Sequence, residues 1–328
     1  MATPADPVIG MDVGASTISA GLVDPDGTVV LAIQAPTDAS GSVTETILSL
    51  LDRLLAHAAE RRIRVGGIGV GLPGLVDIEK GSMRSMDGGW VSELGDLPLA
   101  SLLRERSGCP VFVDNDVNAL TLAEWTWGLG RGAASLVTVA IGTGMGGGII
   151  VDGTLIRGHL NTAGEIGHVA VSFDGPVCAC GGVGCLATYV SGRMIVERAR
   201  ERLPAYPGSA VLARAGGDPD RIGAELLFAA ATDGDPLARA VVDQACEALA
   251  VGIGALANLL NPEVVVITGG VAGSLAPLRE DILARTRRRT LTAVLDATTV
   301  HFAPADKRNT VRGGAALVFY ELGRRPAA

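Results

Sequence analysis

His168, Cys178, Cys180 and Cys185 have the spacing H-x9-C-x-C-x4-C, with glycines at 181, 182 and 184 between the thiols. Thiolates this close, joined by one imidazole, suit a tetrahedral structural zinc site. The chain has 5 cysteines, an odd number, and three of them crowd between 178 and 185. That pattern fits a metal site better than a disulfide framework, and a chance cluster of buried thiols is the weaker alternative. Cys109 and Cys246 stand alone and read as core residues.

Two acidic segments invite a different chemistry. Asp12-Val13-Gly14-Ala15-Ser16-Thr17 puts an acid at the end of an apolar run, then small and hydroxyl residues. This order suits a Mg²⁺-bound phosphate, with Asp12 acting through the metal or its waters and Gly14, Ser16 and Thr17 on phosphate oxygens. An Asx-type turn is the simpler alternative. Asp114-Asn115-Asp116-Val117-Asn118 follows another apolar run. Polar residues there can cap a helix, or a carboxylate can take a proton from a hydroxyl as it attacks phosphorus. Gly142-x-Gly144-x-x-Gly147 matches the dinucleotide fingerprint literally. That fingerprint needs a helix next, and Ile149 to Thr154 reads instead as strand and turn. A Rossmann site is therefore rejected. A turn whose N–H groups face an anion, with the Thr143 hydroxyl beside it, competes with a plain hairpin turn.

The elements that must position these groups are legible. Val8 to Val13, Ser19 to Val23 and Thr28 to Ile33 read as strands, the last two split by Asp24-Pro25-Asp26-Gly27. Ser42 to Arg62 carries a helical apolar stripe at Ile47, Leu50, Leu51, Leu54, Leu55 and Ala58. Val65 to Val70 and Val111 to Val113 read as strands, Leu97 to Ser107 and Val117 to Trp127 as helices. A second cluster begins with Leu136 to Ile141, the glycine turn, Ile149 to Val151 and Thr154 to Ile156. IGMDVGASTISAGLVDPDG and VAIGTGMGGGIIVDG form a weak internal repeat, each a strand, a polar glycine turn, a strand and a D-G turn. The remainder reads as mostly helical. Asp235-Pro236 opens a long helix stopped at Asn261-Pro262, a strand spans Glu263 to Ile267 before Thr268-Gly269-Gly270, and helices cover about 275–288 and 309–322.

Composition narrows the class. Of 328 residues 45 are glycine, roughly twice the average share, gathered in bursts that suggest turns where backbone approaches a ligand or another strand. Hydrophobic content of 48% supports a sizeable core, and 19% charged residues argue against disorder. Net charge is 27 − 35 = −8, and Arg287 to Arg289 is too short a basic run to argue for nucleic acid. No apolar stretch reads as long and uninterrupted enough to span a bilayer, and MATPADPVIG lacks a basic n-region and an apolar h-region. The expectation is a soluble cytoplasmic protein that binds neither nucleic acid nor membrane.

Taken in order, the four motifs resemble the ROK family (repressor, open reading frame, kinase), sugar kinases and related repressors, over Asp12 to about Gly314. The resemblance implies an α/β, two-domain actin-like ATPase (ribonuclease H-like) fold with an interdomain cleft and a small zinc loop. Its expected division is an N-terminal domain over 1–116, a larger one over 117–308 with the zinc loop at 168–185, and a last helix near 309–324 packing back on the first. Asp12 to Thr17 looks like the first phosphate loop, Gly142-Thr143-Gly144 the second, and Val264 to Gly273, with Gly269 and Gly270, the adenosine strand and turn. Asn115-Asp116 resembles the sugar-binding Asn and catalytic Asp, Gly164 to His168 matches the G-E-I-G-H sugar motif, and Cys178 to Cys185 matches the zinc loop. Gly74 aligns with a further substrate contact. The implied reaction is ATP-dependent phosphorylation of a hexose 6-hydroxyl, with Mg²⁺, Asp116 as proton acceptor, Glu165 on the sugar, and His168 shared between a structural Zn²⁺ and the sugar. The family also implies a homo-oligomer, dimer or tetramer. Its repressors carry a helix-turn-helix ahead of the first loop, and the eleven residues before Asp12 favour a kinase.

This sequence departs from the pattern in three places. Ala15 and Thr17 replace a Gly and a Lys of the first loop, Ala187 stands where a sugar-contacting Glu is usual, and Asp87 stands where an Asn or Thr faces the sugar. A carboxylate pairs with an ammonium more strongly than an amide does. The expectation is a glucokinase with a relaxed pocket or an amino-sugar kinase, for instance on kanosamine. A non-catalytic sugar sensor and an N-acetylmannosamine-type kinase are the alternatives.

Overall fold

The computed structural model describes residues 6–84, 92–95 and 97–324. The chain opens with β1 (Val8–Val13), β2 (Thr17–Val23) and β3 (Val29–Pro36). They form an antiparallel meander. Its Asp24–Thr28 turn is closed by Gly27 in the left-handed region (φ 84°) and by the Asp24 N–H on the Thr28 carbonyl at 2.9 Å. Helix α1 (Val43–Glu60) is capped by Ser42, whose side chain accepts from the Glu45 N–H, and buries Ile47, Leu50, Leu51 and Leu54. Then come β4 (Ile68–Leu72), the two-residue β5 (Val76–Asp77) and β6 (Ser82–Met83), α2 (Leu99–Ser107), β7 (Val111–Asn115) and α3 (Asp116–Thr126). The first sheet is ordered β3-β2-β1-β4-β7, with β4 parallel to both neighbours.

The second sheet takes β8 (Leu136–Ile141), β9 (Met145–Val151) and β10 (Thr154–Leu155). After helices α4 (Ala187–Val190), α5 (Gly192–Arg202), α6 (Val211–Arg214), α7 (Ala224–Thr232) and α8 (Pro236–Leu260) come β11 (Val264–Thr268), α9 (Ala272–Leu275), α10 (Arg279–Arg287), α11 (Thr292–Ala297) and β12 (Thr299–Phe302). The order is β10-β9-β8-β11-β12, with β11 parallel to β8 and β12. Strand β12 is an addition to the sequence expectation. Its four residues, Thr299–Phe302, are too few to stand out by periodicity.

Two compact units result: Met1–Ala134, Gly148–Gly164 and Asp306–Ala328 form one, Ser135–Gly147 and Glu165–Ala305 the other. The division differs from the expected boundary at 116, because α3 and the last helix α12 (Lys307–Arg324) pack on each other within the first unit. Helix α12 lies on β1 and β4 at backbone contact: a Cβ on Gly69 would come 1.9 Å from the Gly314 carbonyl oxygen. Part of the glycine excess therefore serves helix-on-strand packing. Helix α8 corrects another expectation. It is long and apolar enough to cross a membrane, yet 67% of its apolar window is buried inside the protein. Its start has the expected cap, Asp235 accepting from the Ala238 N–H with Pro236 behind it, and Asn261 ends it in the left-handed region (φ 42°).

Candidate functional site

In the first unit, strand register gathers the acids. Asp12 pairs with Gly71 across β1 and β4, and Gly71 pairs with Asp114 across β4 and β7. Gly71 separates Asp12 from Asp116: a Cβ built on it would lie 3.6 Å from Asp12 Oδ1 and 3.1 Å from Asp116 Cα. Burial pushes the Asp12 carboxyl up to about 6, because a carboxylate removed from water loses hydration that no neighbour restores. The Gly14–Thr17 turn is closed by its own chain. The Gly14 N–H donates to the Thr17 carbonyl at 3.0 Å, and Thr37 donates its hydroxyl to the Gly14 carbonyl at 2.8 Å. Ser16 is left exposed at the tip.

The Asp114–Asn118 turn is held by interlocking bonds. Asn115 caps α3, its Oδ1 accepting from Val117 N–H (2.9 Å) and Asn118 N–H (3.2 Å). Its Nδ2 donates to the Gly74 carbonyl at 3.1 Å, which brings these two residues together. Asp116 sits on the first turn of α3, with Oδ1 accepting from the Val117 N–H at 2.8 Å. Asp114, one of the polar residues whose position suits a helix cap, is buried. It accepts instead from Asn115 N–H, Asn118 Nδ2 and Arg157 Nε. Asp87 lies outside the described residues.

In the second unit, Gly142-Thr143-Gly144 joins β8 to β9 as a hairpin turn, and the strand that follows excludes a Rossmann arrangement. Gly142 N–H bonds the Gly144 carbonyl at 3.0 Å. The first N–H groups of α5 are anchored here, Gly192 on the Gly142 carbonyl (2.8 Å) and Arg193 on the Thr143 carbonyl (3.4 Å). Gly269, left-handed at φ 100°, and Gly270 follow β11. Gly142, Thr143, Arg193 and Gly270 line one cavity of about 700 Å³ that also takes in Gly223 and Val271. Gly192 and Arg193 were missed in the sequence. The available signal was Ser191-Gly192 ahead of an amphipathic stretch, which reads as a helix start.

The thiol loop closes as its spacing implies. Ligand atoms of His168, Cys178, Cys180 and Cys185 all lie within 4.8 Å of one another. Cys178 Sγ is 3.6 Å from His168 Nδ1, and Cys180 Sγ is 3.7 Å from Cys185 Sγ. Four ligands about 2.0–2.3 Å from a tetrahedral zinc would stand roughly 3.5–3.8 Å apart, so the donor set and its spacing fit that ion. The thiols oppose one another electrostatically. Burial, then Cys180 and Cys178, push Cys185 up to about 12, while the Gly182 N–H holds Cys180 below its usual value. A zinc ion held by these residues would resolve the conflict, because a coordinating thiol is deprotonated. Crossing backbone bonds shape the loop, among them Cys178 N–H to the Gly182 carbonyl (2.8 Å) and Leu186 N–H to Val169 (2.8 Å). With Nδ1 turned to the sulfurs, His168 keeps Nε2 on the side of Glu165, 4.0 Å from its Oε2, and both side chains are about two-fifths exposed. Ala187 opens the short helix directly after this loop.

Two mixed five-stranded α/β sheets, each with a glycine-bearing hairpin, and the His/Cys cluster are those of the actin-like ATPase fold with its zinc loop. The chain belongs to the ROK family, whose profile matches residues 8–321. It is 36% identical over 287 residues to a glucokinase of Thermotoga maritima, covering 84% of this chain and 87% of that protein. Among solved structures, a ROK glucokinase from Streptomyces griseus in complex with glucose and AMPPNP superposes with a TM-score of 0.73 at 30% identity, covering 95% of this chain and 98% of that one. A ROK transcriptional regulator, a homologue of the Escherichia coli MLC protein, superposes with a TM-score of 0.81 at 28% identity, covering 97% of this chain and 80% of that one.

Proposed function

We propose that this chain is an ATP-dependent hexose kinase acting on the sugar 6-hydroxyl, with Asp116 as proton acceptor. The observation that carries the proposal is the pair of carboxylates beside Gly71: Asp12 half-buried and pushed up to about 6, Asp116 on the first turn of α3. A sensor has no need to keep both. The glucokinase relatives support the hexose class. Asp12 would hold the Mg²⁺ of Mg·ATP, which neutralises charge on the phosphates. In this reading Gly14, Ser16, Thr17, Gly142, Thr143 and Gly144 face phosphate, and Gly269 and Gly270 face adenosine. Asn115, Gly74, Glu165 and His168 bind sugar hydroxyls. Asp116 takes the hydroxyl proton as that oxygen forms its bond to the γ-phosphorus and the bond to ADP breaks. Zn²⁺ would be held by Cys178, Cys180, Cys185 and His168 Nδ1, fixing the ring so that Nε2 meets the sugar. Thiolates kept reduced and an ATP substrate support a cytoplasmic setting.

A second reading concerns the sugar. Ala187 in place of a Glu removes one hydroxyl acceptor, and Asp87 adds a carboxylate suited to an ammonium. An amino-hexose such as kanosamine then competes with glucose as substrate. Coupled ADP release with ATP and a panel of glucose, kanosamine and N-acetylmannosamine decides between them, with Asp116→Ala as control. If glucose leads widely in kcat/KM and Asp87→Asn changes nothing, the amino-sugar reading is wrong. No turnover on any sugar would leave the non-catalytic sensor.

A further inference from the structure

We propose that Arg157 is a positioning residue, which holds the Asp114–Asn118 turn in working geometry by tying it to α12. The proposal rests on the reading of Asp116 as proton acceptor, and it adds a residue to which no motif assigns a role. Arg157 follows β10 and is far in sequence from both of its partners. Its Nε donates to Asp114 Oδ2 at 2.7 Å, and its Nη2 donates to Glu321 Oε1 at 2.6 Å. The Asp114 side chain is 2% exposed and that of Arg157 12%. Burial works to lower the Arg157 guanidinium, but the charges of Asp114 and Glu321 outweigh it and hold it above its usual value.

The bonds lead onward from Arg157 to the turn. Asp114 uses its second oxygen, Oδ1, to accept from Asn115 N–H (2.7 Å) and Asn118 Nδ2 (2.9 Å). Asn115 then caps α3 by accepting from Val117 and Asn118, and Val117 N–H is also shared with Asp116. Without Arg157, a buried carboxylate would stand without its counter-charge beneath this turn, and such a group either protonates or draws the chain toward water. Either response moves Asn115 and Asp116. Helix α12 sets the position of Arg157 in turn. The Tyr320 hydroxyl accepts from the Leu155 N–H at 2.8 Å, and the guanidinium lies 5.7 Å from the Tyr320 ring centroid. The two acids are met by separate nitrogens of one planar fork, a geometry that the single ammonium nitrogen of lysine does not reproduce.

Arg157 also lines a cavity of about 420 Å³ together with Phe112, Arg104 and Glu321, which gives a small cation a route to the position. The test compares Arg157→Ala, Arg157→Lys, Glu321→Gln and Asp116→Asn. It measures kcat and KM for sugar and for ATP, melting temperature, and rescue by millimolar guanidinium. Arg157→Ala is expected to lose about 10- to 100-fold in kcat, with sugar KM raised and ATP KM unchanged. Guanidinium should recover part of kcat in this variant and none in Asp116→Asn. Arg157→Lys should fall between wild type and Arg157→Ala, and Glu321→Gln should lose least. A folded Arg157→Ala with wild-type kcat and sugar KM overturns the positioning role, as does a loss that touches sugar and ATP KM alike and resists guanidinium. If Arg157→Ala does not fold, wild-type kcat in both milder variants overturns it. The catalytic reading fails separately, by an Asp116→Asn enzyme that turns over normally.

Discussion

The two glycine hairpins, Gly14–Thr17 in one unit and Gly142–Gly144 in the other, repeat one strand–turn–strand pattern but use glycine for opposite reasons. A Cβ on Gly14 would come 2.8 Å from the Thr17 carbonyl oxygen, so this turn is tight against itself. Cβ atoms on Gly142 and Gly144 would meet nothing within 4 Å. The first turn is glycine-dependent because of its own chain, and the second leaves room for something else to approach. The first also carries a half-buried acid, Asp12, and the second none. One hairpin is thus suited to hold a cation and the other to receive an anion's backbone contacts. The same contrast separates the two polar clusters. The Asp114–Asn118 turn is held together by protein hydrogen bonds, with only the Asn118 Oδ1 among its described side-chain atoms buried and unpartnered, whereas the Cys178–Cys185 loop brings thiols together in a way that calls for an ion.

The largest expected effect breaks the first cluster without disturbing its fold. Asp116→Asn keeps an oxygen for the Val117 N–H but cannot take a proton. The kcat should fall by roughly 10²- to 10⁴-fold, while sugar affinity by calorimetry and melting temperature stay near wild type. A drop in melting temperature that matches the loss of rate would make Asp116 a structural cap.

Next comes the ion-dependent cluster. Metal analysis should find about one zinc per chain. Cys178→Ser should remove it and raise sugar KM by about 10- to 100-fold through the freed His168 ring, with ATP KM unchanged. An unchanged sugar KM in a zinc-free variant would detach the loop from the sugar.

The two hairpins are then compared directly. Gly144→Ala has open space for its methyl group, so stability should change little, while ATP KM rises severalfold. Gly14→Ala meets backbone at 2.8 Å, so it should destabilise the protein by about 1–3 kcal/mol, read as a shift in denaturant midpoint. Equal stability losses in the two variants would erase the distinction.

Much of this was legible because the relevant signals are local. The cap at Asp235-Pro236, the stop at Asn261-Pro262 and the thiol spacing each depend on a few adjacent residues, and the structure places each where its chemistry predicts. Arg157 was not legible, since its acids at 114 and 321 are brought to it by sheet order and by α12, and nothing in the neighbouring sequence announces them. The packing of α3 on α12 was hidden for the same reason, since it is a tertiary fact. Glycines 10 and 69 fall in expected strands and 314 in an expected helix, and nothing local shows that they serve close contact between that helix and those strands.

The smallest expected effect concerns Asp12 itself. Its carboxyl lies at about 6 in the folded chain against 3.8 as its ordinary value. The folded state therefore binds more protons than the unfolded state between those values, and this group's contribution makes the ligand-free protein less stable as pH rises through that window. Asp12→Asn removes the titration, so the melting temperature of the ligand-free protein at pH 7.5 should rise by a few degrees, roughly 2–6 °C, and the difference from wild type should vanish near pH 4. Adding Mg²⁺ and ATP should reverse the order at pH 7.5, because the cation gives the wild-type carboxylate the partner that burial denies it, and asparagine offers that cation no charge. A wild type that stays less stable than Asp12→Asn in saturating Mg·ATP would leave Asp12 a half-buried acid with no cation to hold.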